Sequence, residues 1–244
     1  MRSRGALGTR YVAHADPSVS GANFAVMVAH REQDDAGRGH LIVDHVHVWR
    51  PQDFPDGRID YELVTEGLER LIVRFRLAAL TFDQFNFAGL LAQLKAAARA
   101  NGMGTTIGQR TATERLNTQM AETLKTSLSR NLVHVPHHEL LEAELRHLEI
   151  RNGRVDHPTR GPVQTSDVAD CLMNLVHALI GDNNDQQLGA DLASTTVRGS
   201  RQAHPLDDLF DAVHKYGSLG SQGGTPRGWD PGRGNGGRPR WRAP

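Results

Sequence analysis

Residues 41–50 read LIVDHVHVWR, the strongest strand signal in the chain. Four of its apolar residues, Ile42, Val43, Val46 and Val48, are β-branched, the side-chain shape that packs well on a pleated surface. Upstream, FAVMVAH at residues 24–30 is a second apolar run, and the polar segment 31–39 between the two has the length of a hairpin loop. Further upstream, residues 10–16 alternate weakly and end in Asp16-Pro17-Ser18. Proline has no N–H to give a sheet ladder, so the first strand should stop at Asp16. Connections this short join antiparallel neighbours, so the chain should open with three antiparallel strands.

Downstream of Arg50 the period changes. Val64, Leu68, Leu71, Ile72 and Phe75 fall on one helical face. ALTFD, residues 79–83, predicts a fourth strand, and Phe87, Leu90, Leu91 and Leu94 a helix ending near Asn101-Gly102. Residues 103–108 read as a short fifth strand. Leu116, Met120, Leu124 and Leu128 mark a helix at spacing four, and residues 132–135 a short strand. Leu140, Leu141, Leu145 and Leu148 mark another helix, starting after Pro136. Residues 149–156 contain Asn152-Gly153, a hairpin turn signal. A last helix covers residues 166–180, with Val168, Leu172, Leu175 and Leu179 inward. The order β-β-β-α-β-α-β-α predicts an α/β fold: a mixed five-stranded sheet, three antiparallel strands followed by αβ units, flanked by helices.

With 244 residues and 38% hydrophobic content the chain can bury one sizeable core. We divide it into a flexible N-terminus (1–9), a main domain (10–182), a C-terminal extension with a short helix near 206–216 (183–216), and a tail (217–244). That tail has nine Gly in 28 residues, a composition that does not repay the entropy of folding and predicts disorder. The formal net charge is zero but uneven: the tail carries five Arg against one Asp. Its arginines can meet DNA phosphates or serve as a solvated linker. Aromatics at 5% do not advertise stacking platforms for single strands. A single cysteine, Cys171, excludes an intrachain disulfide. No run of about 18 apolar residues exists to span a membrane, and MRSRGALGTR has no signal core. The expected location is the cytoplasm, bacterial or phage-infected.

Three acidic positions stand out by place. Asp16 ends the first strand and Asp83 the fourth. Asp167 and Asp170 open the last helix three residues apart, on one face. Strands one and four can be neighbours in a mixed sheet, so their ends can meet, with a helix N-terminus above the same edge. An aspartate at a strand end is often only a turn former, and one in a first turn often only answers the helix dipole. The combination has a sharper reading. Hydrolysing a phosphodiester needs an activated water and a stabilised leaving oxygen. Two divalent cations about 3.5–4 Å apart supply both. Mg²⁺ and Mn²⁺ favour oxygen ligands, and carboxylates crowded together without a cation repel one another.

Four stretches resemble the nuclease domain of tailed-bacteriophage terminase large subunits. ADPSVSGANFAVMV resembles the family's first hairpin, with its catalytic aspartate at Asp16, and LTFDQFN the segment bearing the second acid, at Asp83. RLNTQMAETLKTSLSRNLVHVPHHELLEAELRHLEIRNGRVDHP resembles the helix, strand and helix before a hairpin. SDVADCLMNLVHAL resembles the final helix, placing the completing acid at Asp167, with Asp170 a fourth ligand or a supporting group. The resemblance covers about residues 10–182. It implies a ribonuclease-H-like fold and a metal-dependent endonuclease that cuts double-stranded phage DNA during genome packaging with two Mg²⁺ or Mn²⁺ ions. The implied partners are double-stranded DNA, a separate ATPase motor subunit, a small terminase subunit and a portal. Alternatives are a Holliday-junction resolvase or recombination nuclease of the same fold, and a catalytically silent DNA-binding or motor-docking module.

The sequence departs from that family in two places. Ser166 stands where many relatives carry Lys. No G-x-x-x-x-G-K-[ST] phosphate loop is present, and none of Lys95, Lys125 and Lys215 follows a glycine. Among other residues, His157 is a minor candidate for substrate contact, and Asn174, one turn beyond Asp170, for a supporting role. His134 and His138 are four apart, but Pro136 between them breaks any shared helix face, so a structural role is expected rather than zinc ligation. Cys171 should pack as a small buried side chain.

Overall fold

A computed structural model describes residues 4–17, 23–83, 88–110, 113–151 and 153–181. The expectations for residues 183–216 and for the Gly/Arg-rich tail lie outside the described residues.

The opening strands are β1 (Tyr11–Asp16), β2 (Phe24–Gln33) and β3 (Gly39–Trp49). They form the expected antiparallel meander. After α1 (Tyr61–Phe75) the chain adds β4 (Ala79–Asp83), then α2 (Ala88–Ala100) and β5 (Thr106–Arg110). The remaining elements are α3 (Glu114–Ser129), β6 (Val133–His134), α4 (Glu139–His147), the hairpin β7 (Glu149–Arg151) and β8 (Arg154–Asp156), and α5 (Asp167–Ile180). The main sheet has six strands in the order β5-β4-β1-β2-β3-β6. The sixth is the short β6, two residues paired parallel to the edge of β3, so the expected five-stranded sheet gains a strand at that edge. No helix among the described residues is long and apolar enough to cross a membrane.

The sheet separates two cores. On one face β1 and β2 present Tyr11, Ala13, Ala15, Phe24, Val26 and Val28 to the apolar faces of α1 and α2. On the other, Val12, Ala25, Met27 and Ala29 meet α3, α4 and α5. A strand alternates its side chains, so neighbouring residues of β1 serve opposite cores. Near-continuous burial of β1 and β2 follows from having helices on both faces.

The apolar positions of β3 change parity midway, from Leu41 and Val43 to Val46 and Val48, yet all four pack into the same core. The cause is a β-bulge. Val28 pairs with His45 and Ala29 with Val43, which leaves Asp44 as the extra residue. Asp44 is buried and bonds the Nδ1 of buried His30. The ring of His30 also pairs with Glu32 at 2.8 Å, so the bulge carries a hydrogen-bonded histidine between two carboxylates.

Helix ends follow local chemistry. The Asp60 side chain accepts from the backbone of Glu62 and Leu63 to start α1, and Thr113 does the same for Leu116 in α3. His138 starts α4 by accepting the Leu141 N–H on its ring nitrogen at 3.2 Å. His134 instead meets His40, ring nitrogen to ring nitrogen at 2.9 Å.

Candidate active site

β1 and β4 run parallel, and their last paired residues are Ala15 and Phe82. Asp16 and Asp83 are the next residues along, at adjacent strand ends. Ala15 and Phe82 both face the α1/α2 core, so alternation turns Asp16 and Asp83 to the other face, where α5 packs. The connections leaving these two strand ends go opposite ways, β1 to β2 and β4 through α2 to β5. Asp16 and Asp83 therefore sit where the strand order reverses.

The first turn of α5 brings two further acids, Asp167 and Asp170, to these strand ends. Asp167 accepts hydrogen bonds from the side chain and backbone of Asn23, the residue before β2. Asp170 accepts the Ser166 hydroxyl at 2.7 Å. Ser166 therefore does not cap the backbone of its own helix. Glu144 of α4 does so instead: 1% exposed, it accepts the amides of Val168 and Ala169, both at 2.9 Å, and the Thr165 hydroxyl at 2.7 Å. A carboxylate at a helix N-terminus satisfies orphan amides and answers the dipole.

Burial and neighbouring acids raise three of these aspartates. Burial pushes Asp16 well above the ordinary carboxylate range, followed by the charges of Asp170, Asp83, Asp167 and Glu144. Burial also pushes Asp170 well up, against the Ser166 hydrogen bond, with Asp83, Asp167 and Glu144 adding to the rise. Asp167 is pushed up to about 7, by burial first and Glu144 second. Asp83 Oδ1 and Asp167 Oδ2 are buried oxygens with no hydrogen-bond partner. Buried polar atoms are nearly always satisfied; Asp83 Oδ1 faces the buried Nε2 of His14 at 3.4 Å, and the orphaned Asp167 Oδ2 among these acids fits a divalent cation. No three His, Cys, Asp or Glu side chains among the described residues stand close enough to hold one ion as they are.

The other sequence candidates fall nearby in lesser positions. Asn174, 2% exposed, donates to the backbone carbonyl of Asp170 at 3.1 Å rather than to its carboxylate, and its oxygen lies 3.5 Å from an Arg110 nitrogen. His157 is bound to Asp156 at 2.9 Å and reaches Ser166 at 3.5 Å, one hydroxyl away from Asp170. Cys171 is fully buried beneath the cluster, its thiol pushed up by burial and by Asp16, Asp83 and Asp170. A thiol so held stays protonated and is no nucleophile. Sequence reasoning did not single out Glu144, Asn23 or His14. For Glu144 a signal existed, since it lies on the apolar face marked by Leu140, Leu141, Leu145 and Leu148.

A mixed sheet with three antiparallel strands, parallel neighbours beyond them, helices on both faces and carboxylates at the reversal point defines the ribonuclease-H-like fold. Solved structures agree. The large terminase nuclease from thermophilic phage G20c superposes with a TM-score of 0.51 at 15% identity, covering 75% of this chain and 87% of that one. The HK97 bacteriophage large terminase superposes with a TM-score of 0.52 at 16% identity, covering 72% of this chain; the match spans 41% of the HK97 protein. At such identities the likeness establishes the fold. No family profile matches the sequence, and no curated protein matches it.

Proposed function

We propose that the chain is a metal-dependent DNA endonuclease of the large-terminase type, cutting double-stranded phage DNA during genome packaging. One observation carries the reading: four aspartates from three separate elements gather at the sheet's reversal point, with Asp167 Oδ2 buried and unbonded among them. Clustered buried charge is costly unless compensated, and a divalent cation is the compensation such oxygens suit. Asp16, Asp83 and Asp167 would hold Mg²⁺ or Mn²⁺, with Asp170 beside them. Bound cations of this kind would activate a water and stabilise the leaving oxygen of a phosphodiester.

The chain's own residues prepare that site. Asn23 orients Asp167 and the Ser166 hydroxyl orients Asp170. Asp16, Asp167 and Asp170 carry raised proton affinity, so protons and a cation would compete for their carboxyl groups. Val168, Cys171 and Leu172 of the same helix belong to the buried apolar core. In packaging the chain would work with an ATPase motor, the small terminase subunit and a portal.

Purified protein should nick or linearise plasmid DNA with Mn²⁺ or Mg²⁺ and stop when chelator is added. Asp16→Asn, Asp83→Asn and Asp167→Asn should each abolish cutting while keeping the circular dichroism of the parent. An Asp16→Asn protein that cuts as well as the parent removes that residue from the site. A strong preference for four-way junctions over linear duplex would replace the packaging reading with a resolvase. Failure to cut any DNA would leave a silent binding module.

A further inference from the structure

We infer that His14 is a positioning residue that fixes the carboxylate of Asp83 through its Nε2–H, an assignment that rests on reading Asp83 as a cation ligand. His14 lies two residues before Asp16 on the same face of β1, and it pairs across the parallel register with Thr81 of β4. It is 1% exposed. Its Nδ1 lies 2.8 Å from the Thr81 hydroxyl oxygen. Its Nε2 lies 3.4 Å from Asp83 Oδ1. Both of these last atoms are buried, and neither has a hydrogen bond of its own.

The protons on this chain of groups are constrained. The Thr81 hydroxyl has one proton and two candidate acceptors, His14 Nδ1 at 2.8 Å and the Ala13 carbonyl at 3.4 Å. Giving it to Nδ1 is the shorter bond and leaves the ring proton on Nε2, facing a carboxylate oxygen. The reverse arrangement turns a lone pair of Nε2 toward a lone pair of Asp83 in a place water does not reach, leaving both buried groups unsatisfied. The favoured order is therefore Thr81 O–H to His14 Nδ1, and His14 Nε2–H to Asp83 Oδ1. The 3.4 Å separation is somewhat longer than a relaxed N–H···O bond, about 2.9–3.0 Å, and a small turn of the Asp83 carboxylate closes it. With Oδ1 so engaged, Oδ2 is the oxygen left for a cation. His14 is not itself a ligand in this reading, because Mg²⁺ keeps several waters and Nε2 is sealed from solvent.

The test uses the full chain with Mn²⁺ alone as probe, its binding read without DNA from the free-ion paramagnetic resonance signal, beside plasmid cleavage and thermal melting. His14→Leu removes the donor; His14→Gln keeps an N–H near the position of Nε2; Thr81→Val removes the hydroxyl that sets the tautomer. Loss of a supporting hydrogen bond to a metal ligand typically costs about 10–100-fold in affinity, so His14→Leu should weaken Mn²⁺ binding by that order. His14→Gln should restore most of the loss, and Thr81→Val should weaken binding by a smaller factor. Unchanged Mn²⁺ affinity in His14→Leu overturns the assignment. So does an equal loss in His14→Gln while both variants melt with the parent. If His14→Leu does not fold, unchanged affinity in Thr81→Val overturns it instead. A parent chain that binds no Mn²⁺ sinks both this assignment and the endonuclease reading. A parent that binds Mn²⁺ but cuts no DNA sinks the endonuclease reading alone, and His14 is still judged on affinity.

Discussion

Asp167 shows how one side chain records what surrounds it. Burial and the neighbouring charge of Glu144 push it up to about 7, against two hydrogen bonds from Asn23. An acid whose folded pKa lies above its unfolded value of 3.8 adds stability fully below that value and withdraws it as pH rises through about 7. Asp16 and Asp170 are raised in the same direction. With chelator present, the melting temperature should therefore fall as pH rises from about 6.5 to 8, and Asp167→Asn should flatten part of the fall. A rising or unchanged melting temperature over that window would contradict the assigned burial of the cluster. His45 is the reason for starting there. Burial lowers it from 6.5 to about 4, so the unfolded chain takes up its proton first and stability declines as pH drops from 6.5 toward 4.

At the scale of the element, α5 is held by its neighbour more than by its own first residue. Ser166 occupies the N-cap position, but its hydroxyl is spent on Asp170, and Glu144 from α4 accepts the free amides. Glu144→Ala strands two buried N–H groups, and the loss of cap plus the orphaned donors should cost roughly 2–4 kcal/mol in urea unfolding. Glu144→Gln, which keeps one carbonyl oxygen, should cost less. A cost under about 0.5 kcal/mol for Glu144→Ala, the range of neutral surface changes, would show that this cap is unimportant. The bulge in β3 is a second lesson at this scale. The parity change from Val43 to Val46 was visible in LIVDHVHVWR, and an even alternation cannot place both inward; an extra residue between them can. That the extra residue is Asp44, buried against His30, depends on β2 and lies outside any local pattern.

Over the whole molecule, the sheet's strand order sets what the carboxylates can do. Placing β1 beside β4 brings Asp16 and Asp83 to neighbouring ends, and packing α5 on one face lowers Asp167 and Asp170 over them. Because the cluster lacks its compensating charge without a cation, binding should stabilise the entire fold. Mn²⁺ at 100 times its dissociation constant adds about 2.7 kcal/mol by mass action. For a domain of this size that is a rise in melting temperature of about 5–10 °C, reversed by chelator and absent in an Asp16→Asn, Asp83→Asn double variant. No rise in the parent would mean the aspartate cluster does not take up the ion.

The order of strands and helices was legible in the sequence because periodicity is a local property: a residue's face depends on neighbours two to four places away. Asp16, Asp83 and Asp167 were legible as element-end acids for the same reason. Their gathering at one end of the sheet, and the parts played by Glu144, Asn23 and His14, were decided by the tertiary structure. Each depends on which strand lies beside which and in what register, and those pairings join residues such as His14 and Thr81, or Glu144 and Val168, that no short window of sequence contains together.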